Sequence, residues 1–303
     1  LSRGLGDVYK RQSASWAGSR GSCGGGPVMS AHEESARILS VAVDAIGGTP
    51  RSGQVEMAQA VDRAIDEEIH LLVQAGTGTG KSLGYLAPAI AHAVLDDEAV
   101  VVATATLALQ AQLAGKDIPA ALTAAEKVLP RRPRAAILKG RHNHACLHKV
   151  RGGSSRPDQD MLLDDADSFA ARSDGKGTDQ ASELGAEVIA LRQWAEQQAA
   201  ENGVGDRDDA PAHSQQAWDQ VSMRANECLG AQNCPFGPQC LAERARERAR
   251  DADIVVTNHA MLAIDAMNGG TLLPEHDVVV IDEAHEVAAV SYTHLTLPTN
   301  REV

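Results

Sequence analysis

The sequence predicts an α/β fold in which a parallel β-sheet carries a small, mostly helical insertion. Short apolar runs at residues 69–75, 99–103, 253–257 and 276–281 alternate with stretches of helical periodicity, a pattern typical of parallel sheets. A polar stretch with several cysteines, residues 140–250, separates the second run from the third. With 303 residues and 43% hydrophobic residues, the chain can form one large or two modest domains.

Both ends of the chain are predicted to be foreign to the protein. Residues 7–12 and 290–294 can be encoded by one short DNA element read in opposite orientations, and that element resembles a transposase adaptor used in sequencing libraries. A natural linker and tail are the alternative. We therefore treat residues 1–28 as a non-native leader and residues 290–303 as an adaptor-derived tail, with Met29 as a plausible start and a longer natural protein expected.

Two helices are predicted before the glycine-rich segment. Apolar residues recur at helical spacing from Ser35 to Ile46, and Gly47 with its neighbouring glycine ends that helix. The next helix runs to about Glu67. Gln54 lies near its start, where the side-chain amide could pair with the edge of adenine through one donor and one acceptor. Taken alone, a solvated residue at a helix start is the simpler interpretation of Gln54.

Residues 69–82 predict a buried strand, a phosphate-binding turn and a helix that begins near Lys81. The glycines let the backbone N–H groups face phosphate oxygens, Lys81 brings a positive charge to them, and the Ser82 hydroxyl can bind Mg²⁺. Ala75 stands where the usual spacing has its first glycine, and a small residue suffices there. A chance glycine-rich turn is the alternative. The predicted nucleotide-binding residues are Gln54, Ala75, Gly76, Thr77, Gly78, Thr79, Gly80, Lys81 and Ser82.

The apolar run at residues 276–281 predicts another buried strand, and it ends in two carboxylates. Asp282 is expected to hold the metal through water, and Glu283 to orient or deprotonate an attacking water. An acidic strand end that faces solvent would explain this motif alone. It does not explain both motifs in this order, so together with Lys81 they predict a nucleotide-binding site that uses Mg²⁺ and an attacking water.

Two further predicted strands end in polar residues. Residues 99–103 lead into Thr104 and Thr106, whose hydroxyls could contact a phosphodiester backbone and could also cap the next helix. A later strand leads into Asn258 and His259, which could contact DNA or the nucleotide site, or could simply form a turn.

The net charge of −13 conceals a local basic stretch. Residues 131–156 contain eight Lys or Arg and no Asp or Glu, whereas residues 158–209 contain fourteen acidic and four basic residues. The basic stretch could contact nucleic-acid phosphate or be a solvated loop. The acidic stretch is predicted to be partly disordered apart from one amphipathic helix. The inward face of that helix is Leu184, Val188, Leu191 and Trp194.

Four cysteines lie in and after the basic stretch. Cys146 comes first, and Cys228, Cys234 and Cys240 follow with five residues between successive cysteines. Few, clustered cysteines favour a cytosolic chain that uses thiols as ligands rather than disulfides. The wide spacing favours an iron–sulfur cluster, because zinc sites prefer closer pairs.

Zinc remains the competing interpretation of this site, and free structural cysteines are a third. Four cysteines suit zinc, and three histidines of the basic stretch could replace some of them as ligands. These histidines are His142, His144 and His148. No run of about eighteen apolar residues predicts a membrane span.

In order, these motifs resemble the DinG/XPD-type iron–sulfur helicases of superfamily 2, and in particular the bacterial DinG branch. The resemblance extends from about Ser35 to Ala288. It rests on Arg51-x-x-Gln54, Ala75 to Ser82, Thr104-Ala-Thr106, Arg141-x-Asn143-x-x-Cys146, the three later cysteines, Thr257-Asn-His-Ala260 and Asp282-Glu-Ala-His285.

The resemblance implies a RecA-like motor domain, residues 29–139 and 251–289, around a [4Fe-4S] insertion over residues 140–250. It implies a cytoplasmic monomer that uses ATP and Mg²⁺ to move 5′ to 3′ on single-stranded DNA and to separate forked DNA in repair or replication. By the same resemblance Gln54 binds adenine, and His285 couples hydrolysis to DNA. One iron each would be bound by Cys146, Cys228, Cys234 and Cys240.

Two departures from that family matter. His144 replaces the aromatic residue common before the first cluster cysteine, and the arch domain and second RecA-like domain that follow Asp282-Glu-Ala-His285 are absent. The chain by itself is therefore expected to bind nucleotide weakly and hydrolyse it poorly, because the second domain supplies arginines to the site. The alternative is a non-motor, zinc-braced module that binds ATP and nucleic acid. The identity of the bound metal distinguishes the helicase from this module. A nuclease domain in the missing part is a further hypothesis.

Overall fold

The computed structural model describes residues 31–49, 51–76, 80–152 and 177–289. The predicted leader and tail lie outside the described residues, as do Thr77, Gly78 and Thr79 of the phosphate-binding turn and much of the acidic stretch.

The sheet has four parallel strands. They are β1 (Val100–Thr104), β2 (Ala135–Ile137), β3 (Ile254–Asn258) and β4 (Val278–Ile281), in the spatial order β2–β3–β1–β4. Every residue of the central β1 is buried, as expected for a parallel strand covered on both faces. The predicted α/β fold with a parallel sheet is confirmed, and it is consistent with a RecA-like domain.

Helices cover both faces of this sheet. In chain order, α1 to α10 are Ala31–Ala45, Ser52–Asp66, Lys81–Leu95, Leu107–Gln112, Ile118–Glu126, Leu147–Val150, Gly177–Ala200, Gln215–Val221, Leu241–Arg250 and His259–Met267. A π-helical turn joins α4 to α5. Val100 and Val102 of β1 pack with α1, α2, α3 and α5, whereas Val101 packs with residues on the opposite face, including the α9 residue Ala249. This alternation follows from the two-residue period of a strand.

Local signals placed several helix ends correctly. Helix α1 ends just before Gly47, whose φ of +72° lies in the left-handed region that glycine adopts readily. The Thr106 hydroxyl accepts a hydrogen bond from Leu109 N and caps α4. Of the two functions predicted for Thr106, helix capping is the one that this contact performs.

The apolar run before the phosphate-binding turn is not a strand. Residues 69–76 are irregular, and Leu72 is 95% exposed. The prediction of a buried strand over residues 69–75 is therefore wrong, because a strand requires a neighbour to pair with its backbone and an apolar pattern does not supply one. The predicted burial of residues 276–281 is also only partly correct. Among the described strands β4 lies at the edge of the sheet, and its residues are half-buried or exposed.

Described residues between 140 and 250 form a second hydrophobic core, mostly from helices α6 to α9. Trp218 is fully buried at its centre and packs with Leu147 and Val221. The amphipathic helix predicted in the acidic stretch is α7. Its residue Leu191 is fully buried, and Leu184, Val188 and Trp194 pack against the same cluster. The described part of this segment is mostly helical, whereas the inserted iron–sulfur domain and its boundaries stay predictions.

No helix within the described ranges has both the length and the apolar character needed to cross a bilayer.

The pair formed by α1 and α2 contains a buried carboxylate. Asp62 is 6% exposed, and His32 Nδ1 donates to Asp62 Oδ2 over 3.1 Å. Burial raises the pKa of the Asp62 carboxyl to about 6, because a carboxylate loses hydration when it leaves water. The folded protein therefore binds a proton at Asp62 at pH values where the unfolded chain has released it.

We expect Asp62→Asn to stabilise the protein at pH 7.5 by up to about 3 kcal/mol, since each pKa unit corresponds to about 1.4 kcal/mol. In the wild type, the contribution of Asp62 to stability falls as the pH rises from about 4 to about 6, where only the folded state holds the proton. Urea unfolding of both proteins at pH 4.5 and pH 7.5 measures this effect. Glu56→Gln, at an exposed position of the same helix, is the matched control. An equal stability difference at both pH values would contradict the assignment.

Candidate active site

The predicted catalytic residues meet at the carboxyl ends of β1 and β4. Helix α3 begins at Lys81, directly after Gly80, and Lys81 Nζ lies 2.7 Å from Glu283 Oε1. The turn after β4 is tied to β1 because Asp282 N donates to Ala103 O. Ligands of parallel α/β sheets bind at this edge, so the structure places Lys81, Asp282 and Glu283 where a phosphate chain is expected.

The pair between Lys81 and Glu283 is charged on both sides. Their hydrogen bond raises the pKa of the Lys81 ammonium and lowers the pKa of the Glu283 carboxyl. Both side chains are partly exposed, at 25% and 32%, so solvent and a ligand can reach them. In this structure the Lys81 ammonium is therefore engaged by the Glu283 carboxylate.

Asp282 is held by a residue that the sequence interpretation missed. Tyr85 donates its hydroxyl to Asp282 Oδ2 over 3.3 Å, and Asp282 Oδ1 accepts from Glu283 N. Burial, followed by the charge of Asp282, raises the pKa of the Tyr85 phenol, which keeps it a hydrogen-bond donor. The sequence could have identified Tyr85, because it lies four residues after Lys81 and therefore on the same face of the helix.

The turn that carries the two carboxylates is also held by His259. Glu283 has a φ of +53°, which is uncommon for a residue other than glycine, so surrounding contacts must maintain the turn. His259 is 1% exposed and donates from Nε2 to the Asp282 carbonyl over 2.9 Å. The adjacent Asn258 accepts from Met261 N and caps α10. The contacts that the structure describes for Asn258 and His259 are structural, and among the predicted alternatives they correspond to the formation of a turn.

Replacing His259 with phenylalanine should destabilise the protein by about 1–3 kcal/mol, because the ring fills similar space but leaves the Asp282 carbonyl without this donor. Urea unfolding gives the magnitude, and hydrogen exchange of the Asp282 and Glu283 amides reports whether the turn has loosened. His285→Phe is the control, since the His285 side chain is 70% exposed. Wild-type stability and amide protection in His259→Phe would show that the turn does not depend on this hydrogen bond.

Gln54 contacts the phosphate-binding turn directly. Its side chain is buried, and Nε2 donates to the Gly80 carbonyl over 3.0 Å. Gly80 has a φ of +80°, a backbone conformation that favours glycine, and a Cβ there would lie 2.5 Å from Gln54 Nε2, so the Gln54 amide would have to move. This contact braces the end of the turn. The predicted adenine contact of Gln54 stays a prediction.

The other predicted residues lie around this centre. Ser82 is in the first turn of α3, and Ala75 and Gly76 precede the turn residues that fall outside the described part. The His285 nitrogens lie 3.5 Å from carboxylate oxygens of Glu283 and Glu286. The coupling of hydrolysis to DNA through His285 stays a prediction.

All four cysteines predicted as ligands line one cavity of about 30 Å³. They are Cys146, Cys228, Cys234 and Cys240, each a free thiol and each partly exposed. In the part of the chain that the structure describes, no three His, Cys, Asp or Glu side chains converge tightly enough to hold a single metal ion.

Two groups donate hydrogen bonds to the sulfurs. Gly230 N donates to Cys228 Sγ over 3.4 Å, and Arg141 Nη1 donates to Cys240 Sγ over 3.7 Å. Arg141 is held in place by Glu243. Burial raises the pKa of the Cys146 thiol, so this sulfur favours its neutral form unless a cation binds nearby.

The three candidate histidines differ in position. His144 and His148 line the cavity, and His144 is 2% exposed with Nδ1 donating to the Val204 carbonyl. The ring of His142 instead contacts the Ser222 hydroxyl, and the backbone carbonyl of His142 accepts a hydrogen bond from Trp218 Nε1.

Five of the eight Lys and Arg residues of the basic stretch form ion pairs within the described ranges, and one of these pairs, Arg132–Glu126, lies on the exposed surface. Arg131 pairs with Asp253, Lys139 pairs with Asp206 and Asp208, and the other pairs are Arg141–Glu243 and Arg151–Glu196. Lys139 is almost fully buried, and its two carboxylate partners lie 2.7 Å away. These last four cations brace the protein, so their availability to nucleic-acid phosphate is reduced.

Comparison with known proteins gives several close relatives. The chain is 48% identical over 252 residues to the ATP-dependent helicase DinG of Mycobacterium tuberculosis H37Ra, covering 83% of this chain and 36% of the relative. It is 34% identical over 249 residues to the ATP-dependent DNA helicase YoaA of Escherichia coli K12, covering 81% and 34%. For the ATP-dependent DNA helicase DinG of Photobacterium profundum the identity is 30% over 256 residues, covering 80% and 33%.

No family model matches the chain. The chain spans about a third of the length of the curated relatives that it matches. The matched region includes most of the residues that the structure describes. Over the residues that it shares with them, the chain is a homologue of the DinG and YoaA helicases.

Proposed function

We propose that this chain is the nucleotide-binding part of an ATP-dependent DNA helicase and that it carries a [4Fe-4S] cluster. The observation that supports the motor function most strongly is the contact between Lys81 and Glu283 beside Asp282, which joins two motifs two hundred residues apart. The relatives bear the name ATP-dependent helicase, in agreement with this chemistry.

ATP binding begins with an exchange of partners at Lys81. The phosphate chain replaces the Glu283 carboxylate on the ammonium, and the released carboxylate becomes free to orient and deprotonate a water molecule. Tyr85 and His259 keep Asp282 in position during this exchange. Mg²⁺, held by Ser82 and through water by Asp282, would neutralise phosphate charge.

The nucleotide is bound by the turn and its neighbours. We assign phosphate contacts to the backbone from Ala75 to Gly80 and adenine recognition to Gln54. Because Gln54 also contacts Gly80, adenine and phosphate binding are linked through one side chain. His285 would transmit hydrolysis to the DNA-binding surface.

The cysteine cavity suits a cluster better than one zinc ion. A tetrahedral zinc needs four ligand atoms about 2.3 Å from a single point, whereas a cluster spreads its ligands over several irons. The four cysteines share a cavity but do not converge on one point, and Arg141 and Gly230 donate hydrogen bonds to sulfur. We assign one iron each to Cys146, Cys228, Cys234 and Cys240, and the cluster would brace the insertion.

We further propose a cytoplasmic monomer that moves 5′ to 3′ on single-stranded DNA and opens forked DNA in repair or replication. Resemblance to the DinG/XPD-type helicases supports these points. A longer chain that continues beyond residue 289 should hydrolyse ATP at least about tenfold faster with single-stranded DNA than without it. Hydrolysis that DNA does not stimulate would favour the non-motor, zinc-braced module.

The exchange at Lys81 is tested by Glu283→Gln. We expect this variant to bind ADP about three- to tenfold more tightly. The substitution removes the exposed Lys81–Glu283 ion pair, which competes with the phosphates for Lys81. It also removes the negative charge of Glu283, which repels the phosphates. Fluorescence anisotropy with a labelled ADP measures the affinity. Glu286→Gln, which removes a more exposed neighbouring carboxylate, should leave it unchanged. Equal ADP affinities for Glu283→Gln and the wild type would refute the exchange.

A further inference from the structure

A cleft between α1 and α2 has no place in the proposed helicase function. Its volume is about 180 Å³, compared with about 30 Å³ for the cysteine cavity. None of the residues assigned to nucleotide or metal binding lines it. A dry cavity of about 150 Å³ is large enough to take up benzene, so this cleft has room for a small organic group.

The cleft exists because small side chains face each other across the two helices. On α1 its lining includes Ser35, Ala36 and Ser40, and on α2 it includes Ala58. Residues three or four apart share one helix face, so these small residues form a continuous gap where larger ones would interdigitate. Leu39 lies in the same gap and is buried.

The cleft combines apolar walls with one buried charge. Leu39, Val55 and Ala58 supply apolar surface, and Asp62 places its carboxylate in the lining. In the described part of the chain the only ion pair of Asp62 is with His32, whose side chain is 51% exposed at the rim. A buried carboxylate is costly unless a cation compensates it, so the cleft favours a ligand that carries positive charge.

A second polar group points to the same conclusion. The Ser35 hydroxyl is fully buried beside Asp62 and, in the described ranges, has no partner of normal hydrogen-bond geometry. Buried hydroxyls of native proteins are usually paired, and a ligand donor or acceptor would satisfy this one. A bare metal ion would find one carboxylate and one imidazole among mostly apolar surface, since Asp62 and His32 are the only His, Cys, Asp or Glu side chains of this lining.

We propose that the α1–α2 cleft binds a small organic cation, an alkylammonium or guanidinium group on a short apolar stem. The cation contacts Asp62 and the Ser35 hydroxyl, and the stem packs against Leu39 and Val55. A free amine and a lysine or arginine side chain of another protein offer the same chemistry. This inference stands independently of the helicase function.

The test is a titration of the ¹⁵N-labelled chain with n-butylammonium at pH 7.5, followed by NMR. We expect saturable shifts of the Ser35, Leu39 and Ala58 amides with a Kd on the order of 1 mM, the scale of a five-atom ligand. n-Butanol, which has the same shape without the charge, should bind at least about tenfold more weakly. Absence of saturable shifts at these amides, or equal binding of n-butanol, would overturn the proposal.

Two variants distinguish the contribution of the Asp62 charge to binding from that of the open volume of the cleft. Asp62→Asn removes the charge and should weaken n-butylammonium binding at least about tenfold, whereas Glu56→Gln, at an exposed position of the same helix outside the cleft lining, should leave it unchanged. Ala36→Leu keeps Asp62 but fills the exposed rim of the cleft, and it should also abolish binding. Wild-type affinity in either Asp62→Asn or Ala36→Leu, with the fold verified by circular dichroism, would refute the site.

The source of the cation is tested with Nα-acetyl-lysine methylamide. Affinity equal to or higher than that of n-butylammonium would support the proposal with a partner protein's side chain as the ligand. Binding of n-butylammonium alone would support it with a free amine as the ligand. Failure of both compounds to bind would overturn it.

Discussion

Replacing Lys81 with alanine should lower the affinity for MgATP at least about 100-fold. Hydrogen bonds to charged groups each contribute about 1.5–3 kcal/mol, and Lys81 is positioned to make two of them to the phosphates. The side chain is 25% exposed and contacts Glu283, so its loss should change nucleotide binding far more than folding. Isothermal titration with MgATP measures the binding, and thermal unfolding verifies that the variant is folded.

Lys116→Ala is the matched control, because Lys116 is an exposed lysine in the π-helical turn between α4 and α5. It should bind MgATP as the wild type does. In a longer chain, Lys81→Ala should also abolish ATP hydrolysis stimulated by DNA. Wild-type MgATP affinity in Lys81→Ala would show that the phosphates bind elsewhere, and it would remove the basis for the nucleotide site.

Chain purified without oxygen should contain about four irons and four acid-labile sulfides, and Cys234→Ser should lose both together. Cys234 lines the cavity with the three other ligands that we propose, so a missing thiolate leaves one iron without protein ligation. Metal analysis, sulfide analysis and the visible spectrum give the result. The near-ultraviolet circular dichroism of Trp218, at the centre of the insertion core, reports whether that core is retained.

The fifth cysteine provides an internal control. Cys23 lies in the predicted leader and outside the proposed ligand set, so Cys23→Ser should keep the full content of iron and sulfide. Stoichiometric zinc without sulfide in the folded wild type would refute the cluster. That outcome would favour the zinc-braced module.

The sequence by itself determined the features that depend on short segments. Alternating apolar runs predicted β1 and β3, the glycine-lysine junction predicted the start of α3 at Lys81, and Thr106 was one of two threonines named as possible helix caps. The face of α7 was also predicted correctly, with Leu191 inward. These features are readable because capping and periodicity are set by residues within a few positions of one another.

The tertiary structure alone decided which distant residues meet. The apolar run at residues 69–75 has the composition of a strand, yet it lies outside the sheet, since pairing depends on a neighbour that local pattern does not identify. In the same way Lys139, counted as a candidate phosphate ligand, is buried between two carboxylates.

The candidate site also combines residues that the sequence predicts with contacts that only the tertiary structure creates. Its charged residues were predicted from two motifs, but the direct contact of Lys81 with Glu283, the brace from His259 to the Asp282 carbonyl and the contact of Gln54 with Gly80 appear only after folding. The physical reason is that a side chain's hydrogen-bond partner is selected by the packing of whole elements. Sequence spacing specifies where a side chain lies on its own helix or strand, and the tertiary structure decides what faces it.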